Sequence, residues 1–142
     1  MRGRSRVAGV LLSVYLVVLL VALLAPESER QSAAVRQLQD LLAWTGLDGP
    51  WISFDRLEVV SNVLIVVPVA LLGSLIRPSW TWRDWTALAF VAALAVETVQ
   101  GLLLPDRHAS FSDVVANTAG ALVGALLFRL VRPMLHTSGS AR

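Results

Sequence analysis

The sequence predicts an all-α polytopic membrane protein with four transmembrane helices and an external amphipathic helix between the first and second. Of its 142 residues, 56% are hydrophobic and only 15% are charged, which is too apolar for a soluble domain of this size. Four apolar stretches are each long enough to cross a hydrocarbon core of about 30 Å. Every basic residue is an arginine, and the arginines lie near the ends of these stretches. We therefore predict one membrane domain over residues 1–142.

The first predicted span covers residues 7–25 and follows Arg2, Arg4 and Arg6. A basic start before an apolar run is also typical of a secretory signal peptide. This run is longer than the usual apolar region of such a peptide, and no A-x-A cleavage pattern follows it. We therefore predict that the first span is retained. The remaining spans are predicted at residues 57–76, 85–104 and 112–131.

Between the first two spans, apolar residues recur at helical spacing across residues 34–45, with polar residues between them. One interpretation is an interfacial helix that lies over the outer mouth of the bundle. The other, which we slightly favour, is a connecting helix that shields the ends of the spans.

Arginine placement predicts the orientation, because cytoplasmic loops of membrane proteins carry an excess of basic residues. Four arginines fall on the side predicted to be external, Arg30, Arg36, Arg56 and Arg107, and the others fall on the opposite side. Both termini are thus predicted to be cytoplasmic, in a multi-pass protein of the cell membrane. We interpret the basic charge as a topology signal, which excludes a nucleic-acid partner. The chain has no cysteine, so disulfides and thiolate metal sites are excluded as well.

Polar residues inside the spans are the main functional signal, because a charge at the centre of a membrane helix costs about 2.5 to 3.5 kcal/mol. They occur in pairs three or four residues apart, so each pair shares a helix face. The pairs are Glu58 with Asn62, Glu97 with Gln100, and Asp113 with Asn117.

Depth brings these pairs together, because the second and fourth spans run inward from outside whereas the third runs outward. At about 1.5 Å per residue, Asn62 and Asn117 lie roughly 8 Å below the outer helix ends, and Glu97 roughly 10 Å. We predict an outward-opening pocket with Arg107 beside it. Its predicted ligand-binding residues are Asn62, Glu97, Gln100, Arg107, Asp113 and Asn117.

These groups also have a purely structural interpretation. Interhelical hydrogen bonds in membranes contribute about 0.6 kcal/mol on average and commonly hold helices together. For the three amides taken singly, that interpretation is at least as good, but three carboxylates at one depth are harder to explain in this way. Helix packing is the predicted role of Pro68, Gly120 and Gly124, the two glycines forming a small-xxx-small pair.

With these residues in view, the sequence resembles the VanZ-like membrane family, named after a protein associated with teicoplanin resistance. The resemblance consists of Asn62 and Pro68, then Glu97-x-x-Gln100, then Arg107, and finally Asp113-x-x-x-Asn117-Thr118-x-Gly120-x-x-x-Gly124. It covers about residues 55–130. The sequence departs from the family at two positions near Pro68: it has Ala70 where a glycine is common two residues after the proline, and Val67 where an aromatic residue is common just before it. The resemblance implies a bacterial envelope protein, in some members linked to glycopeptide resistance, and it implies no reaction.

Three functions remain open from the sequence. The first is a binding factor for an envelope lipid, a lipid-linked cell-wall precursor or a glycopeptide, in which Arg107 meets a phosphate or carboxylate. The second is an intramembrane hydrolase or transferase that uses Glu97 and Asp113 as catalytic groups. The third is a scaffold or small transporter, which would need a homo-oligomer to enclose a solute path. No cofactor and no metal motif is predicted.

Overall fold

The computed structural model describes residues 2–24, 28–47, 49, 52–103 and 110–137. These residues form five helices, and the described part of the chain contains no strand. The helices are α1 (Arg2–Leu24), α2 (Ser28–Trp44), α3 (Phe54–Ile76), α4 (Trp82–Leu103) and α5 (Phe111–Thr137). The prediction of an all-α membrane fold is confirmed, because α1, α3, α4 and α5 are each long and apolar enough to span a membrane.

The helices begin and end at different residues from the predicted spans, for identifiable reasons. α4 begins at Trp82, and Asp84 stabilises this start: its carboxylate accepts hydrogen bonds from the Thr81 backbone N–H (2.7 Å) and hydroxyl (2.8 Å), the first of which is the return bond of a capping box. α5 runs through Pro133 to Thr137. The predicted span ended at residue 131 because the apolar run ends there, but a helix need not end where the bilayer does.

α3 and α5 form the central pair of the bundle, while α1 and α2 pack against α3 and α4 packs against α5. Gly120 lies against the backbone of Val63, and Gly124 against that of Val67. Because both numbers rise together by four, the two helices run parallel. A β-carbon added at either glycine would overlap a backbone carbonyl oxygen of α3. This close approach of two backbones is the arrangement that small-xxx-small pairs permit.

α1 has few packing partners. Most of its large apolar side chains are exposed, among them Val21 at 67%, as expected for a surface that faces lipid. The Tyr15 hydroxyl donates a hydrogen bond of 2.8 Å to the backbone carbonyl of Ile65 in α3. That carbonyl lies three residues before Pro68, inside the stretch of helix that the proline perturbs. Tyr15 therefore ties α1 to α3 near the middle of the bundle.

Three tryptophans lie near the start of α4, and only one of them, Trp85, is buried. Trp80 and Trp82 are exposed, whereas Trp85 is only 8% exposed. Its indole packs on Gly73, where any β-carbon would overlap the ring. It belongs to a small core with Ala70, Ala121 and Ala125. The reason is helical geometry, since position 85 faces α3 although it lies close to the end of the span.

Labelling of introduced cysteines tests the predicted orientation. The native chain lacks cysteine, so Gly49→Cys and Ser79→Cys each provide a single thiol, and both positions are exposed, in the α2–α3 and α3–α4 connections respectively. On intact cells we expect an impermeant maleimide to label Gly49→Cys, and to label Ser79→Cys only after permeabilisation. The native protein is the zero-signal control. The reverse pattern would show that the arginine bias has been misinterpreted.

Candidate functional site

A cavity of about 1040 Å³ lies among all five helices. One end is polar and is lined by side chains from α3, α4 and α5 together with the residue that precedes α5. The rest is apolar and is lined mainly by α1, α3 and α4. The polar lining residues are Glu58, Ser61, Asn62, Glu97, Gln100, Ser110, Asp113 and Asn117.

The structure brings together most of the residues that the sequence analysis proposed for ligand binding. Asn62, Glu97, Gln100, Asp113 and Asn117 all line the polar end of this cavity, and we call these five residues the polar cluster. The sixth proposed residue, Arg107, lies outside the described residues. The five residues from α3, α4 and α5 thus lie together, as their predicted depths in the membrane required. Their role in ligand binding stays a prediction.

Asn62 and Asp113 join the two central helices. The Asn62 side-chain amide donates a hydrogen bond of 2.8 Å to the Asp113 carboxylate, and both side chains are half-buried. Asp113 also lies in the first turn of α5, where the positive end of the helix dipole stabilises a negative charge. The Asn62 amide and the N-terminal end of α5 therefore both stabilise the Asp113 carboxylate.

Glu97 is held at the same helix end by a different donor. Its side chain is 9% exposed, and its carboxylate accepts a hydrogen bond of 2.8 Å from the backbone N–H of Ser110, the residue before α5. A buried charge needs such a partner, because an isolated one would be very costly. The arrangement places two carboxylates from two helices beside the N-terminal end of α5.

The remaining members of the polar cluster extend it along the cavity wall. Gln100 is 8% exposed and lies one turn beyond Glu97 on the same face of α4, while Asn117 lies one turn below Asp113 and is half-buried. Glu58 lines the cavity but is exposed, as expected for a residue near the head-group region. The cluster therefore offers mainly acceptor oxygens, together with side-chain amides that can both donate and accept.

The chemistry available to this cluster is hydrogen bonding and proton transfer. Among the described residues, no group of three or more His, Cys, Asp or Glu side chains is placed to hold a metal ion. Carboxylates and amides at one level suit a head group that presents hydroxyls, amines or amides. Two carboxylates that line one cavity and are each oriented by a donor are also candidates for an acid and a base.

The apolar part of the cavity has no counterpart among the residues predicted from the sequence. Its walls include Leu12, Leu16 and Leu19 of α1 and several residues of α4, and Trp85 contributes to its lining. From Glu97 to Trp85 the cavity follows α4 for about 18 Å, more than half of a hydrocarbon core of about 30 Å. Empty space between helices has no signature in a single sequence.

The cavity opens toward the lipid-facing surface of the bundle. Leu64 of α3 and Leu16 of α1 both line it although they are 61% and 44% exposed. On α2, Ala34, Val35 and Leu38 line it as well, so this helix lies across part of the cavity. The Gln39 amide donates to the backbone carbonyl of Ile52 (3.2 Å) and fixes α2 to the segment that leads into α3. A molecule in the cavity would therefore touch lipid on one side and α2 near its polar end.

Comparison with known proteins gives one match. The family model described as VanZ/LLP1 matches residues 10–132, which includes all of α2 and the part of α1 from residue 10 onward. The motifs that carry the resemblance begin only at about residue 55, because α1 and α2 contain no polar motif of the family. No curated protein and no solved structure matches the chain.

Proposed function

The chain belongs to the VanZ/LLP1 family, and on that premise we propose that it is a membrane binding protein for an amphiphilic envelope molecule. The head group occupies the polar cluster and the hydrocarbon chain lies along the apolar walls. The observation that supports this proposal is the continuity of one cavity from carboxylates and amides to leucine, valine and alanine side chains. A wholly polar ligand would leave most of that wall without contact.

The size and position of the cavity favour a lipid or a lipid-linked cell-wall precursor. Its volume of about 1040 Å³ lies at the upper end of the range for small-molecule sites, about 300 to 1,000 Å³. Its opening toward lipid gives a membrane molecule direct access. Arg107 is proposed to meet the phosphate or carboxylate of the ligand, because an arginine suits such groups. Protection against teicoplanin is the proposed consequence, since a bound precursor or antibiotic would be withheld from its partner.

An enzymatic role is the second candidate. The observation that favours it is that Glu97 and Asp113 are both oriented by specific donors within one cavity. In this role they would act as acid and base on a lipid-linked substrate, as a hydrolase or transferase. Glu97→Gln and Asp113→Asn would then abolish turnover while ligand binding persists. In the binding role, the same conservative changes would weaken binding less than the loss of Arg107.

Photo-crosslinking tests the binding proposal. The full chain is reconstituted with a phospholipid that has a diazirine in its acyl chain, and the crosslinked residues are mapped. We expect crosslinks to concentrate on the cavity walls, at Leu16 and Ala92 for example. Ala92→Phe, which fills the cavity from an exposed position, should remove them. The matched control is Ala95→Phe, which adds the same bulk to an exposed position of α4 outside the cavity lining.

The outcome is clear in both directions. Loss of the crosslinks in Ala92→Phe and their retention in Ala95→Phe would support occupation of the cavity by a lipid chain. Crosslinks spread evenly over lipid-facing residues such as Leu102 and Leu130, with no change in either variant, would show that the chain stays in the surrounding bilayer. The proposed function would then be wrong.

A further inference from the structure

A second, smaller pocket lies at the opposite end of the bundle from the polar cluster. It has a volume of about 300 Å³ and is formed where the α3–α4 turn meets the second half of α5. Its lining includes Ser79, Thr81, Trp80, Trp82, Arg129 and Arg132, and we call it the basic pocket. From Asp113 to Arg129 the distance along α5 is about 24 Å, so the two sites are separate.

The charge of the basic pocket is not neutralised by the described part of the chain. Arg129 and Arg132 lie three residues apart, so they share a face of α5, and no described carboxylate forms an ion pair with either. The acid nearest in sequence to the α3–α4 turn, Asp84, is bound to the Thr81 backbone N–H and hydroxyl. The two guanidinium groups therefore favour an anionic ligand. A guanidinium binds phosphate oxygens in a bidentate manner.

The surroundings of the basic pocket identify the source of that anion. Phe128 and Ala125 form apolar parts of its wall, and Leu130 beside them on α5 is 69% exposed. Trp80 and Trp82 are exposed at the end of the span, where tryptophans mark the interface between lipid and water. A phosphate held there would be attached to a lipid, because its hydrocarbon chains could lie along the exposed apolar face of α5.

We infer that the basic pocket binds the phosphate head group of an anionic phospholipid, with Arg129 and Arg132 as the charged contacts and the Ser79 hydroxyl as a hydrogen-bond donor. Basic pockets between transmembrane helices on the cytoplasmic side are a recurring mode of recognition of such lipids. The arginine distribution predicts the same side for this end of the chain. The site does not depend on what occupies the larger cavity.

Native mass spectrometry of the full chain in neutral detergent tests this inference. The probes are dioleoyl phosphatidylglycerol and dioleoyl phosphatidylcholine, which share acyl chains and differ in head-group charge. We expect one phosphatidylglycerol to bind in preference to phosphatidylcholine. Because each basic residue near an anionic lipid contributes roughly fivefold in affinity, Arg129→Gln with Arg132→Gln should lower that affinity by more than tenfold.

A charge-matched control separates a pocket from diffuse attraction. Arg6→Gln with Arg77→Gln removes two exposed arginines on the side predicted to be the same, neither of which lines the basic pocket, and should change the affinity less than twofold. Ser79→Phe, in an exposed turn, blocks the pocket without changing charge and should also weaken binding. Equal losses in both arginine pairs, no preference in the native protein, or full displacement of the lipid by millimolar inorganic phosphate would each overturn the inference.

Discussion

Replacing Gly120 with alanine is expected to lower the free energy of unfolding by about 3 kcal/mol, the upper end of the range for overpacking. The added β-carbon would overlap the backbone carbonyl oxygen of Val63 and approach the Val66 side chain. A flexible side chain could move aside, but a helix backbone cannot, so α5 must shift away from α3. Because that pair is the centre of the bundle, we expect a lower thermal midpoint in detergent and a lower amount of protein in the membrane.

Gly9→Ala is the matched control for this prediction. Gly9 lies inside α1, and a β-carbon there would meet nothing within 4 Å. Alanine favours a helix over glycine by about 1 kcal/mol, so this variant should be as stable as the native protein or slightly more stable. If Gly120→Ala and Gly9→Ala had the same thermal midpoint, the close approach of α3 and α5 would be wrong.

Replacing Glu97 with alanine is expected to abolish teicoplanin tolerance in a deletion strain that depends on the protein. The proposed contact of the Glu97 carboxylate with the ligand head group is a buried, charged hydrogen bond, and loss of one partner from such a pair across a binding interface costs about 2 to 5 kcal/mol, which corresponds to at least about 30-fold in ligand affinity. The change removes the acceptor of the Ser110 N–H and a wall of the cavity at the same time. Membrane abundance, measured by blot, must stay near the native level for the result to concern function.

Companion variants give this result its meaning. Asp55→Asn removes an exposed acid from the first turn of α3, outside the cavity lining, and should leave tolerance unchanged. Glu97→Gln, Asp113→Asn and Arg107→Ala divide the mechanism: greater loss in Arg107→Ala favours an anion-binding arginine, whereas greater loss in the two acid variants favours catalysis. Normal tolerance in all of them at normal abundance would mean that the polar cluster only holds helices together.

The sequence predicted the spans because burial in lipid imposes length and composition on a segment. The residues at which a helix begins and ends depend on local hydrogen bonds instead, and the starts of α3 and α4 and the end of α5 fall outside the predicted ranges. The Asp84 carboxylate supports the start of α4, whereas Ser53 makes no side-chain capping bond at the start of α3. Thr81 and Asp84 have the spacing of a capping box, and that signal could have moved the predicted start of α4 to Trp82.

The polar cluster could be placed from depth alone because polar side chains are rare inside spans and helix rise is constant. The hydrogen bonds within the polar cluster could not be predicted from the sequence. Glu97 is bound by a backbone N–H of Ser110, and every residue except proline has such a group, so the sequence does not mark this one. The apolar walls were missed for a related reason: Leu12 and Ala92 look the same in sequence whether they face lipid, protein or a cavity.

The lateral opening beside Leu16 and Leu64 has a consequence for how the proposed ligand would arrive. A molecule that enters through this side never leaves the bilayer, so its encounter with the protein is a two-dimensional search within one leaflet. Occupancy then follows the mole fraction of the ligand in the membrane and not its concentration in water. α1 packs along α3 and is tied to it near mid-membrane by the Tyr15 hydroxyl, so this hydrogen bond is one of the contacts that set the width of the entrance.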